Sequence, residues 1–184
     1  DQYSQNRYWY NYTQVVSGYK AYTSGNKSEW ETTVNALKPA GCTAADYAMD
    51  LTKTLVDQSK TDANNNADRK NVKRVVIFFT DGEPNHSNNF DSTVANDAIT
   101  SAKTLKDAGA LVYSIGVVSG ADPEDTSRNI NAYLHGISSN YPAATGYQSL
   151  GDRAENSNYY KAATNSEELN NIFQEISQEI NTGT

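Results

Sequence analysis

The apolar positions of this chain fall into two patterns, and their order along the sequence predicts the architecture. Val75-Val76-Ile77-Phe78-Phe79 and Leu111-Val112-Tyr113-Ser114-Ile115-Gly116-Val117-Val118 are short runs rich in β-branched and aromatic residues. Such runs read as strands covered on both faces. Tyr159-Tyr160-Lys161-Ala162-Ala163 is a shorter candidate strand, and Val15-Val16-Ser17-Gly18-Tyr19-Lys20-Ala21-Tyr22, ended by Ser24-Gly25-Asn26, is another. The remaining apolar residues keep a helical period. Trp30, Val34 and Leu37 follow the capping-box spacing Ser28 to Glu31 and stop at Pro39. Tyr47, Leu51 and Leu55 predict a helix from Ala44 to about Asp57; Val94, Ala98, Ala102 and Leu105 predict another, which Gly109 ends as a left-handed cap. Ile130, Tyr133, Leu134 and Ile137 follow the Asp122-Pro123 turn, and Leu169, Ile172, Phe173, Ile176 and Ile180 form the strongest amphipathic stripe.

Residues 1–14 hold Tyr3, Tyr8, Trp9, Tyr10 and Tyr12 without a clean period and read as an irregular lead-in. Lys60 to Lys70, with Asn64-Asn65-Asn66, reads as an exposed connection. Strands alternating with helices predict an α/β domain with a doubly wound, mostly parallel sheet flanked by helices.

Composition narrows the function. The chain's 184 residues suit one domain with a substantial core. A formal charge of -7 excludes a phosphate-backbone binder and removes nucleic acid from the expected partners. No run approaches the roughly 18 apolar residues of a helical membrane span, so no direct membrane insertion is expected. Cys42 is the only cysteine, which excludes an intrachain disulfide and suits either a cytosolic protein or a disulfide-poor bacterial surface protein. Its small neighbours predict a buried structural thiol. The 13 tyrosines against four phenylalanines supply amphipathic contact surface, or simply mark an Asn/Tyr-rich lineage.

The candidate chemistry lies at the ends of two elements. Asp81 follows the strand that ends in Thr80, at the carboxyl edge where open α/β sheets hold ligands. Thr43, in Gly41-Cys42-Thr43-Ala44-Ala45-Asp46-Tyr47, stands at a loop-to-helix junction. A carboxylate and a hydroxyl suit a hard cation better than a catalytic dyad. Duller roles stand beside these: Asp81 as the head of an Asx-turn and Thr43 as a helix cap. Glu83 reads as a solvated loop acid, and Asp46 and Asp50, four apart, as a solvated helix face rather than a general acid/base pair. His86 and His135 lack zinc-type spacing, and no phosphate loop or nucleophile elbow is present. An enzyme is not expected.

Val75-Val76-Ile77-Phe78-Phe79-Thr80-Asp81-Gly82, Ala108-Gly109-Ala110 leading into Val112 to Val117, and Tyr159-Tyr160 followed by Glu168-Leu169 and Ile172-Phe173 together resemble a von Willebrand factor type A domain over nearly all of residues 15–181. Ala45-Asp46-Tyr47-Ala48-Met49 resembles the variety found in Gram-positive surface proteins, including sortase-assembled pilus tip adhesins. The resemblance implies a metal-ion-dependent adhesion site built from an Asp-x-Ser-x-Ser loop after the first strand, a Thr from a second loop and an Asp from a third. Thr43 matches the second element and Asp81 the third, Thr43 binding directly and Asp81 directly or through water. Asp-x-Ser-x-Ser is absent, and Asp91-Ser92-Thr93 lies after the wrong strand. The resemblance therefore implies that residues 1–184 form a single incomplete domain lacking its first strand, completed by a companion segment of the same polypeptide. A second possibility is that residues 1–14 substitute for part of that strand.

The expectation that follows is a cell-surface adhesion module, extracellular on a bacterial surface or pilus. It would bind a host or extracellular-matrix protein that offers a carboxylate to Mg2+, or to Mn2+ or Ca2+. The alternatives are a structural or assembly domain of a surface fibre, and the accessory domain of a metal-dependent ATPase or chelatase complex. Asn140-Tyr141-Pro142 and Tyr147 are candidate contact residues.

Overall fold

The computed structural model describes residues 2–5, 8–11, 13–38, 41–65, 72–87 and 89–182. Strands β1 (Gln2–Gln5) and β2 (Tyr8–Asn11) pair antiparallel from Gln2↔Asn11 to Gln5↔Tyr8. This hairpin replaces the irregular lead-in expected for residues 1–14, because aromatic residues favour strands and cross-strand pairing needs no apolar period. Residues 15–22, expected as a strand, form none. An extended stretch becomes a strand only when another backbone takes its hydrogen bonds, and Val15, Val16, Tyr19 and Tyr22 all stay exposed.

A 3-10 turn at Ser24–Asn26 leads into α1 (Lys27–Asn35). The reciprocal cap forms earlier than the Ser28–Glu31 spacing suggests, between Thr23 and Asn26, with the Thr23 amide donating to Asn26 Oδ1 at 2.9 Å. No residue of α1 is buried, and Val34 and Leu37 are 60% and 57% exposed. Pro39, the expected stop, lies outside the described residues. Helix α2 (Ala45–Asn65) runs well past Asp57. Lys60 to Asn65 contains neither Gly nor Pro, so nothing there breaks the hydrogen-bond ladder. The rest of the expected 60–70 connection lies outside the described residues.

The main sheet is parallel, in the order β3 (Val75–Thr80), β4 (Leu111–Gly116), β5 (Tyr160–Ala162). Its register runs from Val75↔Leu111 to Thr80↔Gly116 and from Ser114↔Tyr160 to Gly116↔Ala162. Parallel strands require crossovers, supplied by α3 (Ser92–Asp107) between β3 and β4 and by α4 (Asn129–Ile137) between β4 and β5; α5 (Ser166–Thr182) follows. Asp91 caps α3 by accepting from the Thr93 and Val94 amides at 2.8 and 3.3 Å, and Gly109 ends its C-terminal turn at φ +82°.

Alternation along the strands divides the core. Val76, Phe78 and Val112 face α2, α3 and α4, packing with Met49, Val56, Ala98, Ile99 and Leu134. Tyr113 and Ile115 face the other way, onto Ile172 and Ile176 of α5. The result is a small parallel sheet with helices on both faces. β3 departs from the expected burial on both faces. Among the described residues it pairs only with β4, and Ile77 and Phe79, on the α5 side, are 40% and 49% exposed. Phe79 reaches only the rim of α5, its ring centroid 6.5 Å from that of Phe173. A groove of about 400 Å³ borders the strand, lined by Gly18 and Tyr19, by Thr52 and Val56 of α2, and by Val75 and Ile77.

Polar side chains tie the loops to this frame. Lys106 Nζ donates to the carbonyls of Gly136, Ser138 and Tyr141 at 2.7, 3.1 and 2.9 Å, closing the end of α4. His135 is fully buried. Its Nε2–H donates to the Pro123 carbonyl at 3.0 Å, leaving Nδ1 to accept from Asn140 Nδ2 at 3.2 Å. The same Asn140 accepts from the Tyr159 amide at 2.7 Å. Burial pushes the His135 imidazole down to about 4, against an opposing push from the Pro123 carbonyl.

Two predictions follow from this packing. Ile176→Ala should lower stability in urea unfolding by about 3 kcal/mol, because Ile176 is 1% exposed between α5 and the sheet, while Phe173→Ala, at 42% exposure, should cost less than about 1 kcal/mol. His135 is neutral when folded and free to protonate when unfolded, so its contribution is complete above about pH 6.5 and drains away as the pH falls toward 4. Stability should drop by roughly 2 kcal/mol over that window. Unfolding curves at stepped pH should show His135→Gln losing this component of the slope.

Candidate functional site

The site begins with the turn that closes β3. Thr80 is buried, its carbonyl accepts from the Val117 amide at 2.8 Å, and its hydroxyl donates to the Gly82 carbonyl at 2.9 Å while lying 3.2 Å from the Gly82 amide. That short-range bonding folds the chain sharply after the strand. Asp81, between the two bonded residues, is exposed at the carboxyl edge of the sheet.

The second loop meets it directly. The Thr43 carbonyl accepts from the Ala45 amide at 2.9 Å and from the Asn85 amide at 3.0 Å. A Cβ placed on Gly82 would stand 2.8 Å from Thr43 Oγ1, closer than side chains pack, so glycine here permits the two loops to touch. The hydroxyl of Thr43 thus lies against the residue that follows Asp81. Among the described residues neither the Thr43 hydroxyl nor the Asp81 carboxylate has a hydrogen-bond partner. The duller roles therefore have no bonds behind them here: Thr43 does not cap α2 through its side chain, and Asp81 does not close an Asx-turn.

Further contacts fasten the loops, and nothing in the residue spacing points to them. His86 Nε2 lies 3.0 Å from Asp46 Oδ1, and the His86 ring stacks on Tyr47 with centroids 5.0 Å apart and planes 25° apart. Cys42, expected to be buried, is half-exposed, its thiol donating to the Ser87 carbonyl at 3.3 Å. Asp46 also departs from expectation. Rather than sharing a solvated face with Asp50, it is 9% exposed in the first turn of α2, where the helix dipole favours an anion. Asp50 is exposed, as expected, and accepts from Ser101 Oγ at 2.7 Å, which is the main influence holding its carboxyl below the ordinary carboxylate range. His86 and Asp46 are 40 positions apart, and only the strand-end geometry joins them.

With this geometry in view, the family model for the von Willebrand factor type A domain matches residues 2–175. The chain belongs to that family. Domains of this family are commonly adhesion and protein-interaction modules and generally not enzymes. No curated protein and no solved structure matches the chain.

The chemistry of Thr43 and Asp81 fits a hard divalent ion: a hydroxyl and a carboxylate, each without another partner among the described residues. Among the described residues no group of three or more His, Cys, Asp and Glu side chains is arranged to hold a metal. A cation at Thr43 and Asp81 would therefore complete its coordination with other oxygens, water among them.

The close approach of the loops is testable by a double-mutant cycle. Gly82→Ala should cost about 1–2 kcal/mol in the unaltered background and less than about 0.5 kcal/mol beside Thr43→Ala, which removes the obstructing hydroxyl. Additive effects in denaturant unfolding would show that residues 43 and 82 do not press on each other.

Proposed function

We propose that this von Willebrand factor A domain is a surface adhesion module that captures a protein carboxylate through a divalent cation. One observation carries the reading: the hydroxyl of Thr43 lies against Gly82, immediately after the exposed carboxylate of Asp81, and among the described residues neither has a partner. In this reading Thr43 and Asp81 contribute oxygens to Mg2+, or to Mn2+ or Ca2+, and further ligands come from outside this chain. The ion supplies the positive charge that allows an acidic protein, at -7, to receive an acidic group. The ligand would be a host or extracellular-matrix protein, and the setting the exterior of a Gram-positive bacterium or its pilus. No residue is assigned a catalytic role.

The open side of β3 belongs to the same proposal. With β4 its only partner among the described residues and Ile77 and Phe79 exposed, β3 is an incomplete edge. A companion strand from the same polypeptide would pair with it and cover those side chains. That edge also supports the second reading, in which the domain is an assembly joint of a surface fibre and any cation only stiffens a loop.

Adhesion of the polypeptide containing this domain to immobilised matrix proteins separates the readings. On the first, EDTA and Asp81→Ala each abolish adhesion, and added Mg2+ restores it to the chelated protein but not to the variant. Adhesion that survives both treatments, with Asp81→Ala lowering only the melting temperature, would favour the assembly joint.

A further inference from the structure

We propose that His86, bonded to Asp46 and stacked on Tyr47, is a positioning residue that pins the Asp81 loop to the Thr43 loop and so sets the cation affinity of the site. The proposal rests on the cation reading above and adds a residue to it.

Asp81 lies in an irregular stretch, residues 81–87, that has no strand or helix of its own to hold it. The near end is held by the Thr80 turn. Beyond Glu83 the loop must be fastened elsewhere, or the carboxylate is free to swing away from Thr43. The Asp91 amide holds the Pro84 carbonyl and the Cys42 thiol holds that of Ser87; between them the loop is aimed by a paired contact. Asn85 donates its amide to the Thr43 carbonyl, and the next residue, His86, reaches Asp46, one helical turn further on. Two successive loop residues thus dock on two points three positions apart, one in the loop that leads into α2 and one in the first turn of α2, and that fixes direction as well as distance.

The two partners have different surroundings. The Asp46 side chain is 12% exposed and rooted in the first turn of α2, whereas the His86 side chain is 35% exposed on the loop. A nearly buried carboxylate is costly without a donor, and His86 supplies one. Asp46 is therefore the fixed socket and His86 the part that comes to it. Tyr47, 43% exposed, lies beside the imidazole and restricts its ring plane. The imidazole only has to donate Nε2–H, so the contact needs no net charge on His86. A ligand-bearing loop held this way has less freedom to lose when it binds an ion, and outer partners of ligands typically change metal affinity about 10- to 100-fold when removed.

The test uses the polypeptide containing this domain, with Mn2+ alone as probe and the hydrogen exchange rate of the Asn85 amide as a reading that needs no metal. His86→Ala should speed Asn85 exchange about tenfold and weaken Mn2+ binding about 10- to 100-fold. His86→Gln, whose side-chain amide can donate to Asp46, should recover most of both. Asp46→Asn, which keeps an acceptor oxygen, should fall between them. Loss of Mn2+ binding in Asp81→Ala with unchanged affinity in His86→Ala overturns the positioning role and leaves the cation reading intact. Failure of His86→Gln to recover the affinity also overturns it, since the donated hydrogen bond would then not be the cause. Absence of Mn2+ binding in the unaltered protein overturns both.

Discussion

The parallel pairing of β3 with β4 is the constraint on which the rest depends. Parallel neighbours cannot be joined by a tight turn, so the chain leaves the end of β3 and crosses the face as α3 before it re-enters as β4. Every strand of the sheet then points the same way, and the Thr80 and Gly116 ends emerge at one edge, in register. Asp81 is at that edge for this reason, and α2, packed against α3, brings the Thr43 loop to the same place.

Burial is unequal across this frame. The α2, α3 and α4 side is dry, with Ala95, Ala98, Ile99 and Ala102 at 0% exposure and small residues letting the helices approach. The α5 side is covered over β4, where Tyr113 meets Glu179 and Ile115 meets the helix, but thins toward β3. Ile77 and Phe79 have the composition of a core strand and the exposure of a surface one. Their cost in water is the physical argument for a further strand on that edge, because a long apolar edge left open invites uncontrolled pairing.

The two histidines show how environment assigns a role. His135 is closed inside a network of Asn140, Pro123 and Tyr160, and its neutral ring serves as a fixed donor and acceptor that orders the loops after α4. His86 sits at the rim, bonded to one carboxylate and flanked by one tyrosine. Both were set aside on the sequence because neither has zinc-type spacing. Only the first is purely architectural; the second stands beside the loops proposed to hold an ion.

Much of the fold was legible because periodicity reports local geometry. The stripe from Leu169 to Ile180 and the turn at Gly109 depend on residues within a few positions of one another, and they form as the pattern predicts. Motif and strand end together put Thr43 and Asp81 forward as candidates. What spacing could not show were relations between distant segments: that among the described residues Val15 to Tyr22 finds no partner strand and β3 has one neighbour where its composition suggests two, and that Asp46 turns from solvent to His86. The amino-acid order by itself determined most of the elements and the candidate oxygen donors, since both follow from short-range sterics and side-chain chemistry. Tertiary packing alone decided which strand edge stays open and which side chains meet across the loops, since those outcomes depend on contacts between residues far apart in the chain.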